Sequence, residues 1–364
     1  MGMARRARDA AAIGFVAMVT TACLGTSAGN VEIDDAPKAL ALLAGETSTR
    51  QQALGAPAPA ATPTPTQRGR VVVSAVGDVN LDPSYVPGLS ERGYDDTLES
   101  VRSVFRSDDI TIVNLECTAS DLGTPVGKRF SFRCPTESLP ALADAGVEVA
   151  NIGNNHSGDH GPDALVDSRH QLESIGVAPV GAGIDATQAA LPALFHVNGW
   201  VVAVLGFGGV LPSPTWLATD ERPGMADGDD IASMTAAVRA ADTVADIVLV
   251  TVHWGTELAT VPDDDDVARA EALVEAGADA IFGHHSHRLQ PLDRIADRPV
   301  AWSLGNFVWP SRSAAAADTA IARVVIEPDG EILACLLPVT IVRDGHPALD
   351  DPAATTCPDE SATG

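Results

Sequence analysis

The sequence is poor in positive charge. Its 23 Lys and Arg stand against 49 Asp and Glu, a formal net charge of −26 with a pI near 4.5. That balance excludes nucleic-acid binding by phosphate neutralisation and docking to anionic lipid through a basic patch. A polyanionic ligand would need a local cation, such as a metal, to overcome the repulsive field. Aromatic residues are also scarce, with 8 Phe, 5 Trp and 2 Tyr in 364 residues. Ala, Gly and Val dominate instead. The five cysteines include no Cys-x-x-Cys pair, which disfavours a cysteine-held zinc site. The apolar run from Ala10 to Ala22 is too short to span a bilayer as a mature helix. What remains is a chain long enough to bury one large α/β core or two small ones.

Residues 1–27 read as an export signal, with Arg5, Arg6 and Arg8 ahead of the apolar run. Thr21-Ala22-Cys23 resembles a bacterial lipoprotein cleavage box that makes Cys23 the lipidated first residue; Thr20 stands where Leu is usual. Ordinary secretion with cleavage nearby is the alternative. Residues 28–69 form a linker, in which Pro57, Pro59, Pro63 and Pro65 alternate with Ala and Thr. A folded domain spans 70–345, and 346–364 reads as a polar tail. Within the domain, nearly continuous apolar runs predict strands at 71–76, 110–116, 147–152, 247–252, 280–282 and 300–307, with a short one at 130–132. Helices are expected at 96–107, 137–145, 162–175, 230–242 and 265–276. Hairpins are expected at 194–207, around Asn198-Gly199, and at 320–342, around Asp329-Gly330. Strand–helix alternation with inserted hairpins predicts an α/β domain with parallel or mixed sheets. There is no internal repeat and no second domain boundary.

The chain is organised around Ile281-Phe282-Gly283-His284-His285-Ser286-His287. Three histidines follow a buried strand within four positions. Imidazoles at i and i+2 converge on one point if the chain bends there, which is half of a metal site. The other half is suggested by where polar residues fall. Asp78, Glu116, Asn155, His253, His285 and His287 each lie at, or just past, the C-terminal end of a predicted strand, where open α/β sheets bind ligands. Carboxylates, an amide oxygen and imidazoles together suit Mn, Fe or Zn. Glu116 is the candidate bridge between two ions. His156 is a general acid or transition-state stabiliser, and Asp159 orients it by accepting its other ring proton.

Gly77-Asp78-Val79-Asn80-Leu81, Asn114-Leu115-Glu116, Asn154-Asn155-His156 with Asp159 and Gly161, His253-Trp254-Gly255 with Glu257, Gly283-His284-His285-Ser286-His287 and Ser303-Leu304-Gly305-Asn306-Phe307 resemble the CapA-like capsule synthesis family. This is the poly-γ-glutamate biosynthesis group (PGA_cap), within the calcineurin-like metallophosphatase superfamily. The resemblance covers about residues 70–345. It implies a four-layer α/β/β/α sandwich of the metallo-dependent phosphatase type and a dinuclear site. Carried over by position, it assigns Asp78, Glu116, Asn155, His253, His285 and His287 as metal ligands and His156 as the catalytic histidine. The sequence departs from the superfamily pattern at Asn80, where the first motif has His, and at Glu116, where the bridge is usually Asp.

Asn80, Lys128, Arg133, Glu257, His284 and Asn306 are expected around the site, contacting ligands or substrate. Lys128, Arg129 and Arg133 form a basic cluster that either binds a substrate carboxylate or phosphate or is a solvated hairpin. Disulfides Cys117–Cys134 and Cys335–Cys357 would, with Cys23 lipidated, use all five cysteines; buried thiols are the alternative. The expected function is an exported, lipid-anchored, metal-dependent hydrolase at the extracellular face. It would act on an anionic polymer or precursor such as poly-γ-glutamate, beside membrane proteins of a capsule synthesis complex. The alternative is a surface accessory protein that binds or anchors polymer and turns nothing over.

Overall fold

The computed structural model describes residues 68–358. The export signal, Cys23, nearly all of the linker and the last six residues of the tail lie outside them. Among the described residues no helix is long and apolar enough to cross a membrane.

In chain order the strands are β1 (Val71–Val79), β2 (Ile110–Leu115), β3 (Val149–Asn151), β4 (Ala178–Val180), β5 (Ala182–Gly183), β6 (Ala193–Val197), β7 (Trp200–Gly208) and β8 (Gly224–Met225). They continue with β9 (Ile247–His253), β10 (Ala280–His284), β11 (Leu292–Ile295), β12 (Arg298–Ala301), β13 (Asn306–Val308), β14 (Asp318–Ile326), β15 (Ile332–Ile341) and β16 (Pro347–Leu349). One sheet runs β16-β15-β14-β1-β2-β3-β4, with β13 also on β1, and a second runs β11-β12-β10-β9-β7-β6. The centre of each sheet is parallel: β1 to β4 in the first, and β7, β9, β10 and β12 in the second. Antiparallel strands close both edges of the second sheet and the β14–β16 edge of the first.

Alternation of side chains along these strands explains the layering. Val71, Val73, Ile110 and Ile112 of the first sheet face Val202, Val204, Ile247 and Leu249 of the second in one shared core. The alternate residues Val76, Val113, Leu115 and Ala150 pack outward on Leu142, Leu165 and Leu172 of the helices Pro140–Ala145 and Pro162–Ser174. On the far side, Ala203, Leu205, Val248, Val250 and Ile281 pack on Met234, Val238, Ala270 and Leu273 of the helices Ile231–Asp242 and Asp264–Ala276. Helix, sheet, sheet, helix is the four-layer α/β/β/α order. The aspartate run has a local role: Asp263 caps the helix that follows, accepting from the Asp266 amide at 2.9 Å.

Four expectations need correction. Residues 96–107 are helical only at Arg102–Phe105. The preceding turns are i to i+3, as in Glu99 to Asp96 and Val101 to Leu98, because buried Leu98, Val101 and Val104 recur every third residue. Residues 130–132 form no strand; their backbone serves Asp159 instead, through the Phe132 amide at 2.8 Å. The strand expected at 300–307 is two, because the chain leaves the second sheet after Ala301 and joins β1 of the first at Asn306. Gly305, with φ +69°, makes the step. The polar tail is not free along its described part: β16 pairs with β15, and Cys357 is disulfide-bonded to Cys335.

Candidate metal centre

The parallel strands of both sheets deliver their C-terminal ends to one place. Asp78 is the next-to-last residue of β1, Asn114 lies near the end of β2 with Glu116 just past it, and the loop after β3 carries Asn154, Asn155 and His156. His253 ends β9, and His284 ends β10. The crossover at 302–305 packs its backbone closely on one glycine of each sheet. A Cβ on Gly77 would lie 2.2 Å from the Gly305 carbonyl oxygen, and one on Gly283 would lie 1.9 Å from that of Trp302. The bend needed past β10 is present, since His285 and His287 adopt φ +88° and +54°. Such backbone costs of order 1–3 kcal/mol per residue and persists where the surroundings impose it.

The donor atoms form two groups that share one residue. Glu116, His253 and His285 make the first; Asp78, Glu116 and His287 make the second, the ligand atoms of each lying within 4.8 Å of one another. His253 Nε2 is 3.7 Å from Glu116 Oε1, 3.1 Å from His285 Nδ1 and 3.0 Å from the Asn155 side-chain oxygen. His287 Nδ1 is 3.0 Å from Asp78 Oδ2, and its Nε2 is 3.9 Å from Glu116 Oε1. Both Glu116 carboxylate oxygens are buried without a hydrogen-bond partner, whereas Asp78 Oδ2 is met by the His287 ring. Orphaned buried carboxylate oxygens are costly, and a divalent cation would satisfy them.

The electrostatics agree. Burial pushes Glu116 well above the usual carboxylate range, and the neighbouring Asp78 charge adds to it. Burial acts the same way on Asp78, but His287 and then His284 hold it below its ordinary value. His287 is raised to about 9, since Glu116 and Asp78 overcome the effect of burial. It keeps a proton where the carboxylates call for a cation. Burial and the neighbouring imidazoles drop His253 well below its usual value and bring His285 to about 4. Those two rings are neutral, as metal ligands must be.

His156 sits beside the shared glutamate. Its Nδ1 is 2.7 Å from Asp159 Oδ2, and its Nε2 is 3.9 Å from Glu116 Oε1. Lys128 donates to Asp159 Oδ1 at 2.6 Å and to the Asn155 carbonyl. Phe132 covers the imidazole at 4.3 Å between ring centres. His284 lies beneath the site, its Nε2 2.9 Å from Thr251 Oγ1 and its Nδ1 3.8 Å from Asp78 Oδ1. Asn306 is paired with Asp78 across the strands, with a buried, unpartnered side-chain oxygen. Asn80 accepts from the Asp82 amide at 2.9 Å, and its Nδ2 is likewise unpartnered. Glu257 is exposed on the rim of the cavity above. Arg133 does not reach the site, contrary to expectation: its guanidinium binds the carbonyls of Ser120, Leu122 and Gly123 and braces that turn. The disulfide Cys117–Cys134 joins the residue after Glu116 to the end of the segment carrying Lys128 and Phe132.

Two contributions escaped the sequence reading. Asn114 Nδ2 lies 2.8 Å from Asp78 Oδ1 and 3.0 Å from His253 Nδ1, linking the two sheets under the site. Its own side-chain oxygen accepts from Asn151 at 3.1 Å. An Asn inside the buried run Ile-Thr-Ile-Val-Asn-Leu was the available signal. The second is an aromatic wall of Tyr85, Phe132 and Trp309, with Trp309 4.7 Å from the His287 ring. The cavity over the centre has a volume of ≈ 510 Å³, and Arg129, Arg288 and Arg312 line it.

Residues 72–311 match the family described as bacterial capsule synthesis protein PGA_cap. The chain is 31% identical over 261 residues to the PGA biosynthesis protein CapA of Bacillus subtilis (strain 168), covering 71% of this chain and 68% of that protein. It is 31% identical over 223 residues to the capsule biosynthesis protein CapA of Bacillus anthracis, covering 60% of this chain but only 54% of that protein. A crystal structure of a phosphatase from Mycoplasma pneumoniae aligns with 74% of this chain and 94% of its own, at 13% identity and a TM-score of 0.46.

Proposed function

The chain belongs to the bacterial capsule synthesis protein PGA_cap family, and on that footing we propose that it is a metal-dependent hydrolase of capsule or polyglutamate assembly. Export and lipid anchoring at Cys23 would place it at the outer cell surface. Its substrate is an anionic polymer or precursor, and the bond cleaved is an amide or a phosphoester. The observation that carries the reading is Glu116, which belongs to both donor groups with both of its oxygens buried and unpartnered. A carboxylate bridging two cations needs that placement.

Asp78, Glu116 and His287 would hold one divalent cation; Glu116, His253, His285 and Asn155 would hold the other, with Mn, Fe or Zn suiting the donors. Bound there, they would polarise the scissile group and lower the pKa of water. The chain's own residues do the rest. Asp159 fixes the His156 ring through Nδ1, leaving Nε2 to serve the reaction. Burial holds the His156 pKa below its ordinary value, so Nε2 is free to accept. As water adds across the bond, its oxygen goes to carbon or phosphorus, and Nε2 takes the proton that the water gives up and passes it to the departing nitrogen or oxygen. Lys128 compensates the buried Asp159 charge, and Phe132 shields the imidazole from solvent. Arg129, Arg288 and Arg312 supply the positive charge that the chain as a whole lacks.

Elemental analysis of the full chain, purified without chelator, tests this together with hydrolysis of γ-glutamyl and phosphoester polymers. About two metals per chain are expected, falling to one or none in Glu116→Gln. His156→Ala should keep its metal and lose roughly 10²–10⁴ in rate. Absence of metal after incubation with excess Mn and Zn overturns the reading. An unchanged His156→Ala rate removes the role given to that ring.

A further inference from the structure

A second cavity, ≈ 520 Å³ in volume, adjoins the one over the metal centre, and Lys128 lines both. The function proposed above leaves it unused. Lys128 is a fixed partition. It bonds Asp159 on the side of the metal centre, and its ammonium stands 4.9 Å from the centre of the Trp216 ring, which lines the second cavity. Trp216 in turn lies against bare backbone at Gly158, where a Cβ would come within 3.0 Å of the indole.

Arg222 also lines this cavity. A tight turn holds it, with Thr219 and Arg222 paired backbone to backbone and Ala218 bonded to Met225. Its guanidinium donates to the Leu217 carbonyl at 3.0 Å, and its Nε is buried with no partner. Among the described residues no carboxylate lies within ion-pairing distance of it, in a chain with more than twice as many acids as bases. The same holds for Arg129, Arg288 and Arg312 over the metal centre. Guanidiniums left without carboxylates in so acidic a chain are available to an external anion, which they bind by charge-assisted hydrogen bonds.

We propose that the second cavity is a subsite for a further anionic unit of the same substrate. Arg222 binds its carboxylate or phosphate, and Trp216 and Leu165 contact the apolar spacer. The chain of the substrate passes Lys128 to reach the metal centre. This rests on the polymer reading above and specifies how the polymer lies.

The test is calorimetric binding to the full, metal-loaded chain. The probes are a γ-linked glutamate dimer, the corresponding hexamer, and linear polyphosphates of the same two lengths. The wild type should bind the longer glutamate probe more tightly than the shorter one. Arg222→Ala should cut that length advantage by about tenfold, the worth of one charge-assisted hydrogen bond. Arg222→Lys should restore most of it, which a folding defect would not allow. A length advantage that is absent in the wild type, or identical in Arg222→Ala, overturns the subsite and leaves the polymer reading in place. An Arg222-dependent advantage seen only with polyphosphate supports the subsite and overturns the polyglutamate reading. No binding of any probe overturns both.

Discussion

Burial has opposite uses at different residues of this chain. At Glu116 a buried, unpartnered carboxylate is part of a site; at Asp108, near the opposite end of the same strand, a largely desolvated carboxylate is a liability even with hydroxyl partners. Burial raises Asp108 to about 7, with the Glu148 charge adding to the shift and the Thr111 hydroxyl opposing it from 2.9 Å. A carboxyl group whose pKa is raised on folding stabilises the fold while neutral. That contribution is complete below the ordinary aspartate pKa of 3.8 and is lost as pH rises through about 7. Asp108→Asn should therefore match the wild type near pH 4 and exceed it above pH 7, by about 2–4 kcal/mol. Urea unfolding across that pH range measures the gap, and two parallel stability curves would refute the assignment. The residues of the site differ in how readable they were. A carboxylate, amide or imidazole at the end of an apolar strand or a few residues past it stands out, so Asp78, Glu116, Asn155, His253, His285 and His287 could be picked from the chain as candidates. Asn114 could have been, but it lies inside the strand rather than after it. The aromatic wall could not, because Tyr85, Phe132 and Trp309 come from three loops and meet only in space.

Elements whose periodicity matched their burial were legible; those answering to a distant partner were not. The Val-rich strands are buried on both faces, so they read as continuous apolar runs. The run at 300–307 looks the same but crosses between sheets, because β1 offers its edge to Asn306 and no local signal announces that. The segment 118–133 has no regular structure, yet it carries Lys128 and Phe132 into the site. Its order comes from long-range ties: Cys117–Cys134, the Phe132 amide on Asp159, and Arg133 on three carbonyls. The disulfide also stands next to Glu116, and Cys134 Sγ accepts from the Leu81 amide at 3.0 Å. Replacing both cysteines by Ala should cost roughly 3 kcal/mol through loop closure. It should also lower turnover more than metal content, because Lys128 and Phe132 loosen while the ligands stay on strand ends. Thermal unfolding, elemental analysis and rate on the double variant decide it. Full activity with only the stability lost would mean that the Asp159 and Arg133 ties hold the segment without the disulfide.

The whole molecule sets a long-range field against a short-range one. A net charge of −26 repels any polyanion at a distance, whereas Arg129, Arg222, Arg288 and Arg312, which have no carboxylate partner among the described residues, would attract it inside the two cavities. Salt separates these effects, because the Debye length falls from about 30 Å at 0.01 M to about 10 Å at 0.1 M. Over that range the distant carboxylates are screened first, while contacts within a cavity are screened far less. The association rate of a glutamate polymer should therefore rise between those salt concentrations, opposite to an oppositely charged pair, for which salt slows encounter. Above that range the contacts themselves weaken, and the dissociation rate should climb. Affinity then passes through a maximum at moderate ionic strength. Stopped-flow association measured across the series checks the first limb. A rate that only falls with added salt would show that the cavity cations, and not the overall charge, govern the approach of the polymer.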